Sequence, residues 1–147
     1  MTPTKKPLKI LFLCTGNSCR SQMAEGWARA LKAAEIEAFS AGVEPKGLNP
    51  LAVKAMAEAG VDISRQKSKH VRTLLSIPFD LVITVCDHAR ESCPIFLAEV
   101  KIVHVDFEDP AAAQGTENKV LPVFRRVRDQ IREFVAGLPD NIKGGQP

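Results

Sequence analysis

The chain has 147 residues, of which 45% are hydrophobic and 25% charged, and its formal net charge is +3. This length suits a single domain, and the balance of apolar and charged residues excludes wholesale disorder. The small, scattered positive charge does not indicate nucleic-acid binding, and no apolar run reaches membrane-spanning length. The N-terminal segment "MTPTKKPLKI" lacks the apolar stretch of a signal peptide, so we expect a cytoplasmic protein.

The composition at the two ends differs from that of the middle. Residues 1–7 and 139–147 are rich in Pro, Gly, Lys and Asn, which is typical of tails. No internal repeat or low-complexity linker interrupts the region between them. We therefore expect one domain over residues 8–138.

The first predicted elements alternate between strand and helix. "LKILFLC", residues 8–14, is almost wholly apolar, as in a strand buried on both faces. The segment that starts at Ser21 has its apolar residues at helical spacing, and "IEAFSAG", residues 36–42, alternates like a strand. The remaining predicted elements are a helix from Asn49-Pro50 to Gly60, a weak helix at 66–76, strands at 79–86 and 100–107, and a helix at about 117–137.

This alternation predicts an α/β fold, a four-stranded parallel sheet with helices on both faces. Ligands of such sheets bind beyond the carboxyl ends of the strands. Cys14 ends the first strand, Cys86 ends the third, and Asp106 and Asp109 follow the fourth. We therefore expect these reactive groups to lie at one edge of the sheet.

The loop after the first strand has the composition of an oxyanion site. Gly16 and Asn17 tolerate φ > 0, which lets successive backbone N–H groups point inward next to a helix N-terminus. Arg20 adds a planar cation, and the same field should lower the pKa of the Cys14 thiol. An activated thiolate in an oxyanion cradle suits attack on phosphorus or arsenic. The residues expected to bind the substrate are Thr15, Gly16, Asn17, Ser18, Cys19, Arg20 and Ser21.

The cysteines also allow other interpretations. Cys14 could be an inert buried thiol with Arg20 on the surface. Four cysteines could instead hold zinc, although the spacings C-x4-C and C-x6-C are a poor match to ordinary zinc sites. A non-catalytic module, either a redox sensor or a zinc-binding domain, therefore remains an alternative to an enzyme.

The Cys-x5-Arg-Ser loop after the first strand resembles that of the low-molecular-weight protein tyrosine phosphatase fold. The longer string "CTGNSCRSQMAEGW" more closely resembles the thioredoxin-coupled arsenate reductases built on that fold. The resemblance spans about residues 8–135 and includes "FSAG", "NP", "DIS", the pair Cys86 and Cys93, and the Asp-Pro at 109–110. It implies reduction of arsenate to arsenite, in a monomer that needs no bound organic cofactor.

The resemblance assigns a redox relay to three cysteines. Cys14 attacks arsenate, and Cys86 attacks the adduct, which releases arsenite and leaves a Cys14–Cys86 disulfide. Cys93 then resolves that bond, and thioredoxin reduces the resulting Cys86–Cys93 disulfide. If residues 86–93 were helical, their ends would lie about 10 Å apart, which is too far for a disulfide. We therefore predict that this segment rearranges on oxidation.

The resemblance also places Asp109 at the general-acid position of the fold, although Asp-Pro is common in turns as well. Phosphatases of this fold usually carry Tyr after this Asp-Pro, but here the sequence is Ala111-Ala112-Ala113 and the chain has no Tyr. An aromatic phosphate ester would therefore gain little stacking. This favours a small inorganic anion as substrate, with a tyrosine phosphatase as the alternative and weak phosphatase activity as a side reaction.

Some relatives hold potassium behind the loop, and the matching residues here are Asn17, Glu25 and Ser40. The position of a further Asp ligand is occupied by Lys69. The Lys69 ammonium could replace the ion, so we expect a weak cation site at most and little stimulation by potassium. Lys69 could equally be an ordinary surface lysine.

Overall fold

The computed structural model describes residues 6–86 and 100–143. Its sheet has the strand order β2-β1-β3-β4, and every neighbouring pair is parallel. The strands are β1 (Leu8–Cys14), β2 (Ile36–Gly42), β3 (Leu81–Thr84) and β4 (Ile102–His104). The predicted α/β fold with a four-stranded parallel sheet is confirmed.

β1 lies between β2 and β3 in the sheet, and this position explains why its sequence is apolar. Ile10, Leu11, Phe12 and Leu13 are all fully buried, so both faces of the strand are covered. In the pairing of β1 with β2, Cys14 lies opposite Gly42. The carboxyl end of β1 therefore delivers Cys14 to the sheet edge where ligands bind in this architecture.

Helices cover the sheet and begin close to the predicted positions. They are α1 (Arg20–Leu31), α2 (Pro50–Glu58), α3 (Glu117–Ala136) and α4 (Asp140–Lys143). α1 packs against β1, β2 and α3, and α2 packs against α1 and α3. The Asn49 side chain caps α2 by accepting a hydrogen bond of 2.8 Å from the Leu51 amide, as the Asn-Pro sequence indicates.

Several boundaries differ from the predicted ones. β3 and β4 are shorter than the apolar runs at 79–86 and 100–107, although the amides of Val85 and Val105 still bond to neighbouring strands. The weak helix expected at 66–76 is only a 3₁₀ turn at Val71–Leu74. α4 forms within the expected C-terminal tail because Ile142 packs into the core.

No helix in the two described stretches is long and apolar enough to cross a membrane.

Candidate active site

The loop between β1 and α1 turns sharply at Asn17. Asn17 has a φ of 48° and is completely buried, whereas Gly16 does not have a positive φ. The left-handed conformation that we expected at one or both positions therefore belongs to Asn17 alone. Asparagine tolerates this conformation better than most residues, and the turn directs the Asn17 amide toward the Cys14 sulfur, 3.3 Å away.

The segment after β2 fixes the backbone of this loop. The amides of Glu44, Lys46 and Asn49 donate to the carbonyls of Thr15, Gly16 and Ser18, at 2.8, 2.9 and 3.0 Å. These bonds tie the carbonyl side of the loop to this segment. The opposite side of the loop is thereby left to present its N–H groups.

Cys14 lies under the loop and is only 3% exposed. Burial raises the pKa of its thiol, while hydrogen bonds from Ser21 and from the Asn17 amide lower it to a smaller extent. The expected depressed pKa is therefore wrong for this arrangement. The loop supplies the donors that stabilise a thiolate, but the sulfur is shielded from water, which penalises its charged form.

A polar network behind the loop orients the donors to Cys14. The Asn17 side-chain oxygen accepts from the Lys69 amide at 3.0 Å and from Gln22 Nε2 at 3.1 Å, so its NH₂ group faces Ser21. That NH₂ group donates to the Ser21 hydroxyl at 2.8 Å. The Ser21 proton is then left for the Cys14 sulfur, 2.9 Å from the hydroxyl oxygen.

Gln22 and Gln66 extend the network and were not expected from the sequence. Gln22 Nε2 also bonds to the carbonyls of Asn17 and Lys67, at 3.0 and 3.1 Å, and Gln66 Nε2 donates to Gln22 Oε1 at 2.8 Å. Gln22 is completely buried. These side chains tie the loop to residues 66–69, and no local sequence pattern marks such a contact.

Arg20 and Asp109 come together on the other side of the loop. An Arg20 guanidinium nitrogen lies 3.7 Å from an Asp109 carboxylate oxygen, and another donates to the Phe107 carbonyl at 3.1 Å. The second Asp109 oxygen accepts from the Ala111 amide at 3.0 Å. The Asp109 side chain is 44% exposed, whereas that of Arg20 is 13% exposed.

A cavity of about 370 Å³ lies over the loop. Its lining residues are Cys14, Thr15, Gly16, Ser18, Cys19, Arg20, Lys46, Asp109, Ala111 and Ala112. The lining found in the described part of the chain has cationic and thiol groups but no aromatic ring. Lys46 was not expected in the site, because it lies far from the loop in sequence and follows a different strand.

Three of the four cysteines lie within the described residues, and all three are buried: Cys14, Cys19 and Cys86. The Cys86 sulfur lies 3.2 Å from the Thr15 hydroxyl, so the predicted second thiol of the relay adjoins the loop that carries Cys14. Cys93 lies in the range 87–99, outside the described residues, and so does all of the segment predicted to rearrange except Cys86.

The residues of the expected cation site have other partners. Glu25 accepts from the Ser40 hydroxyl at 2.5 Å and pairs with Arg29 at 2.7 Å. The Lys69 ammonium bonds to the Lys67 carbonyl at 2.9 Å, and the charge of Glu25 acts on it as well. With Glu25 neutralised by Arg29, this donor set does not fit a potassium ion. The described residues also contain no group of three or more His, Cys, Asp or Glu placed to hold a metal.

The geometry of the loop agrees with comparison to known families. Residues 9–146 match the family described as low molecular weight phosphotyrosine protein phosphatase. An arsenate reductase of Halalkalibacterium halodurans is 52% identical over 134 residues, which cover 91% of this chain and 96% of the relative. The chain belongs to the arsenate reductases of this phosphatase family.

Solved structures of arsenate reductases have the same fold. One in the phosphate binding state superposes with a TM-score of 0.77 at 37% identity, covering 92% of this chain and 98% of the other. Another, in the oxidized state, has a TM-score of 0.77 at 35% identity, covering 91% and 98%. Each of these matches covers more than nine-tenths of this chain.

Proposed function

We propose that this arsenate reductase works through a relay of Cys14, Cys86 and Cys93 and is regenerated by thioredoxin. The observation that carries the proposal is the contact between the Cys86 sulfur and the Thr15 hydroxyl, because a second buried sulfur then adjoins the loop of the nucleophile. A phosphatase needs only one thiol at this site. A two-electron reduction needs two, because each thiol gives up one electron to arsenic as the two sulfurs join in a disulfide.

In the first step the Cys14 sulfur attacks arsenic(V) in the cavity. The arsenate oxygens accept from the loop amides and from the Arg20 guanidinium, which neutralises their charge. One As–O bond breaks as the S–As bond forms, and Asp109 supplies a proton to the departing oxygen, which leaves as water. The product is a thiol ester of arsenic(V) on Cys14.

In the second step the Cys86 thiolate attacks the Cys14 sulfur. The S–As bond breaks, its electron pair passes to arsenic, and arsenite leaves while a Cys14–Cys86 disulfide remains. Cys93 then attacks Cys86 and frees Cys14, and thioredoxin reduces the Cys86–Cys93 disulfide. The relay moves the oxidised bond away from the substrate cavity, where a protein reductant has no access to the buried Cys14.

The test is NADPH consumption with arsenate, thioredoxin and thioredoxin reductase. Cys14→Ser should abolish turnover, and Cys93→Ser should allow one turnover and then accumulate a Cys14–Cys86 disulfide, detected by alkylation and peptide mapping. Normal steady-state turnover by Cys93→Ser would contradict the relay. Equal rates with a glutaredoxin system in place of thioredoxin would contradict the choice of reductant.

A weak phosphatase activity is supported by the same loop, because a phosphate ester presents a similar tetrahedral anion. Ala111 and Ala112 line the cavity where an aromatic leaving group would need a stacking partner. We expect slow hydrolysis of p-nitrophenyl phosphate that depends on Cys14 and not on Cys93. Efficient hydrolysis of a phosphotyrosine peptide would favour the phosphatase alternative.

We also propose that the enzyme acts as a monomer in the cytoplasm. The mechanism requires reduced thiols at the start of every cycle, and a reducing compartment maintains them. Light scattering of the reduced protein should give the mass of one chain.

A further inference from the structure

The Cys19 thiol has no role in the relay, yet it lies in the substrate cavity. Cys19 is 3% exposed, directly precedes α1 and makes no capping hydrogen bond with its side chain. Its sulfur accepts a hydrogen bond of 3.7 Å from the Ser18 hydroxyl. Cys14, Arg20 and Asp109 line the same cavity, so a second sulfur lies beside the nucleophile where arsenic is processed.

The surroundings of these two thiols disfavour their charged forms. Burial, with smaller contributions from the charges of Asp109 and Cys14, raises the pKa of Cys19 to about 12. Burial likewise raises the pKa of Cys14. A ligand that replaces both thiol protons without leaving a charge would therefore be preferred at this site.

We propose that Cys14 and Cys19 of the reduced enzyme together bind trivalent arsenic as a two-thiol chelate in the substrate cavity. Arsenous acid, As(OH)₃, reacts with two thiols to give two S–As bonds and two molecules of water. Arsenic stays in the trivalent state, so no electron acceptor or donor is needed. The chelate is neutral, and its remaining hydroxyl lies in a cavity that also contains Arg20 and Asp109.

Cys19 is a better partner than Cys86 for this chelate. Cys86 contacts Thr15 but is not among the residues that line the cavity, whereas Cys14 and Cys19 both line it. While the relay holds the Cys14–Cys86 disulfide, Cys14 has no free thiol, so the chelate forms only where Cys14 is reduced. Arsenite should therefore inhibit competitively with arsenate, because both require the reduced Cys14.

The arsenite in this chelate comes from the proposed reduction of arsenate, but binding of added arsenite can be tested without that reaction. Sodium arsenite is added to reduced protein without arsenate or thioredoxin, and bound arsenic is counted by native mass spectrometry. The chain has four cysteines, so the double variant Cys86→Ser/Cys93→Ser contains only Cys14 and Cys19. This background removes the competing pair formed by Cys86 and Cys93.

The double variant should bind one arsenic per chain and protect Cys14 from alkylation. A further Cys19→Ser or Cys19→Ala change should weaken binding by about a hundredfold, because a single thiol loses the chelate effect. Circular dichroism of each variant shows whether the fold is intact. Absence of binding by the folded double variant, or unchanged binding after loss of Cys19, would overturn the inference whether or not the relay is correct.

Discussion

The Ser21 hydroxyl lies 2.9 Å from the Cys14 sulfur, and its oxygen accepts a hydrogen bond from the Asn17 side chain. Since Asn17 Nδ2 can only donate, the Ser21 proton is available to the Cys14 sulfur, although either atom of this pair can be the donor. This donor is the strongest of the hydrogen bonds that lower the pKa of Cys14 against the effect of burial. The reactivity of the nucleophile therefore depends on a side chain that does not touch the substrate cavity.

Replacing Ser21 by Ala should raise the pKa of Cys14 further. A smaller fraction of thiolate is then present at any given pH, so alkylation at pH 7 should slow by about tenfold. The rate of iodoacetamide modification, followed as a function of pH, checks this. The whole profile should move to higher pH.

The control for this change is Ser64→Ala, because Ser64 is exposed and lies away from the loop. It should leave the alkylation profile unchanged. If Ser21→Ala and Ser64→Ala gave the same profile, Ser21 would not be tuning the nucleophile.

Gly42 leaves the space that the loop occupies. A Cβ atom at this position would lie 2.5 Å from the Thr15 carbonyl oxygen and 2.9 Å from the Asn17 nitrogen, and both are backbone atoms. Gly42→Ala should therefore displace the loop, with a loss of about 1–3 kcal/mol of stability and at least about tenfold in kcat/KM.

Gly16→Ala provides the comparison for that substitution. Its Cβ would meet only side-chain atoms of Lys46 and Ser18 at 3.5 Å, which is ordinary contact. Thermal unfolding and steady-state arsenate reduction check both variants. A larger loss for Gly16→Ala than for Gly42→Ala would show that the close backbone approach at Gly42 is not what shapes the loop.

The bounds of β1 and β2 could be predicted to the residue because the apolar residues of each strand follow its pattern of burial. β1 is buried on both faces and is uniformly apolar, and β2 ends at a glycine that the loop requires. The loop itself was predictable because Cys14 and Arg20 lie close together in sequence. Local patterns of this kind fix the substrate-facing side of the site.

The supporting side of the site could not be predicted in the same way. Gln22 meets Lys67 and Gln66 across more than forty positions of sequence, and polar residues at such separations leave no periodic signal. The same applies to the burial of Cys14, which reverses the expected direction of its pKa shift. Both features depend on tertiary packing, which single-sequence patterns do not encode.

Arg29 compensates the buried charge of Glu25. The Glu25 side chain is 4% exposed, and the Arg29 nitrogen lies 2.7 Å from its carboxylate. Arg29→Ala would leave this charge with the Ser40 hydroxyl as its nearest donor, so the free energy of unfolding should fall by about 1–3 kcal/mol. Thermal denaturation measures the loss, and the added change Glu25→Gln should recover part of it by removing the charge.

Arg126→Ala is the matched control for Arg29→Ala. Arg126 pairs with Glu108 at 2.7 Å, but both side chains are 52% exposed. Exposed pairs contribute about 0–1 kcal/mol. A larger destabilisation by Arg126→Ala than by Arg29→Ala would contradict the role given to burial.

Potassium should have little effect on turnover, because Arg29 already supplies the positive charge beside Glu25. Rates measured in potassium chloride and sodium chloride at equal ionic strength should agree. A marked preference for potassium would show that Glu25 and Ser40 exchange their present partners for the ion.

Lys46 should attract arsenate to the cavity. Its methylenes lie beside Gly16 and it lines the cavity with Arg20, so its exposed side chain adds a positive charge at the entrance. Lys46→Gln should raise KM for arsenate about threefold at low salt, and the effect should diminish as ionic strength increases. Lys54→Gln removes the same charge from a lysine paired with Glu117, away from the cavity, and should leave KM unchanged. Steady-state kinetics at several salt concentrations measure KM for both variants. An equal rise in KM for the two would show that the effect comes from the net charge of the protein and not from the position of Lys46.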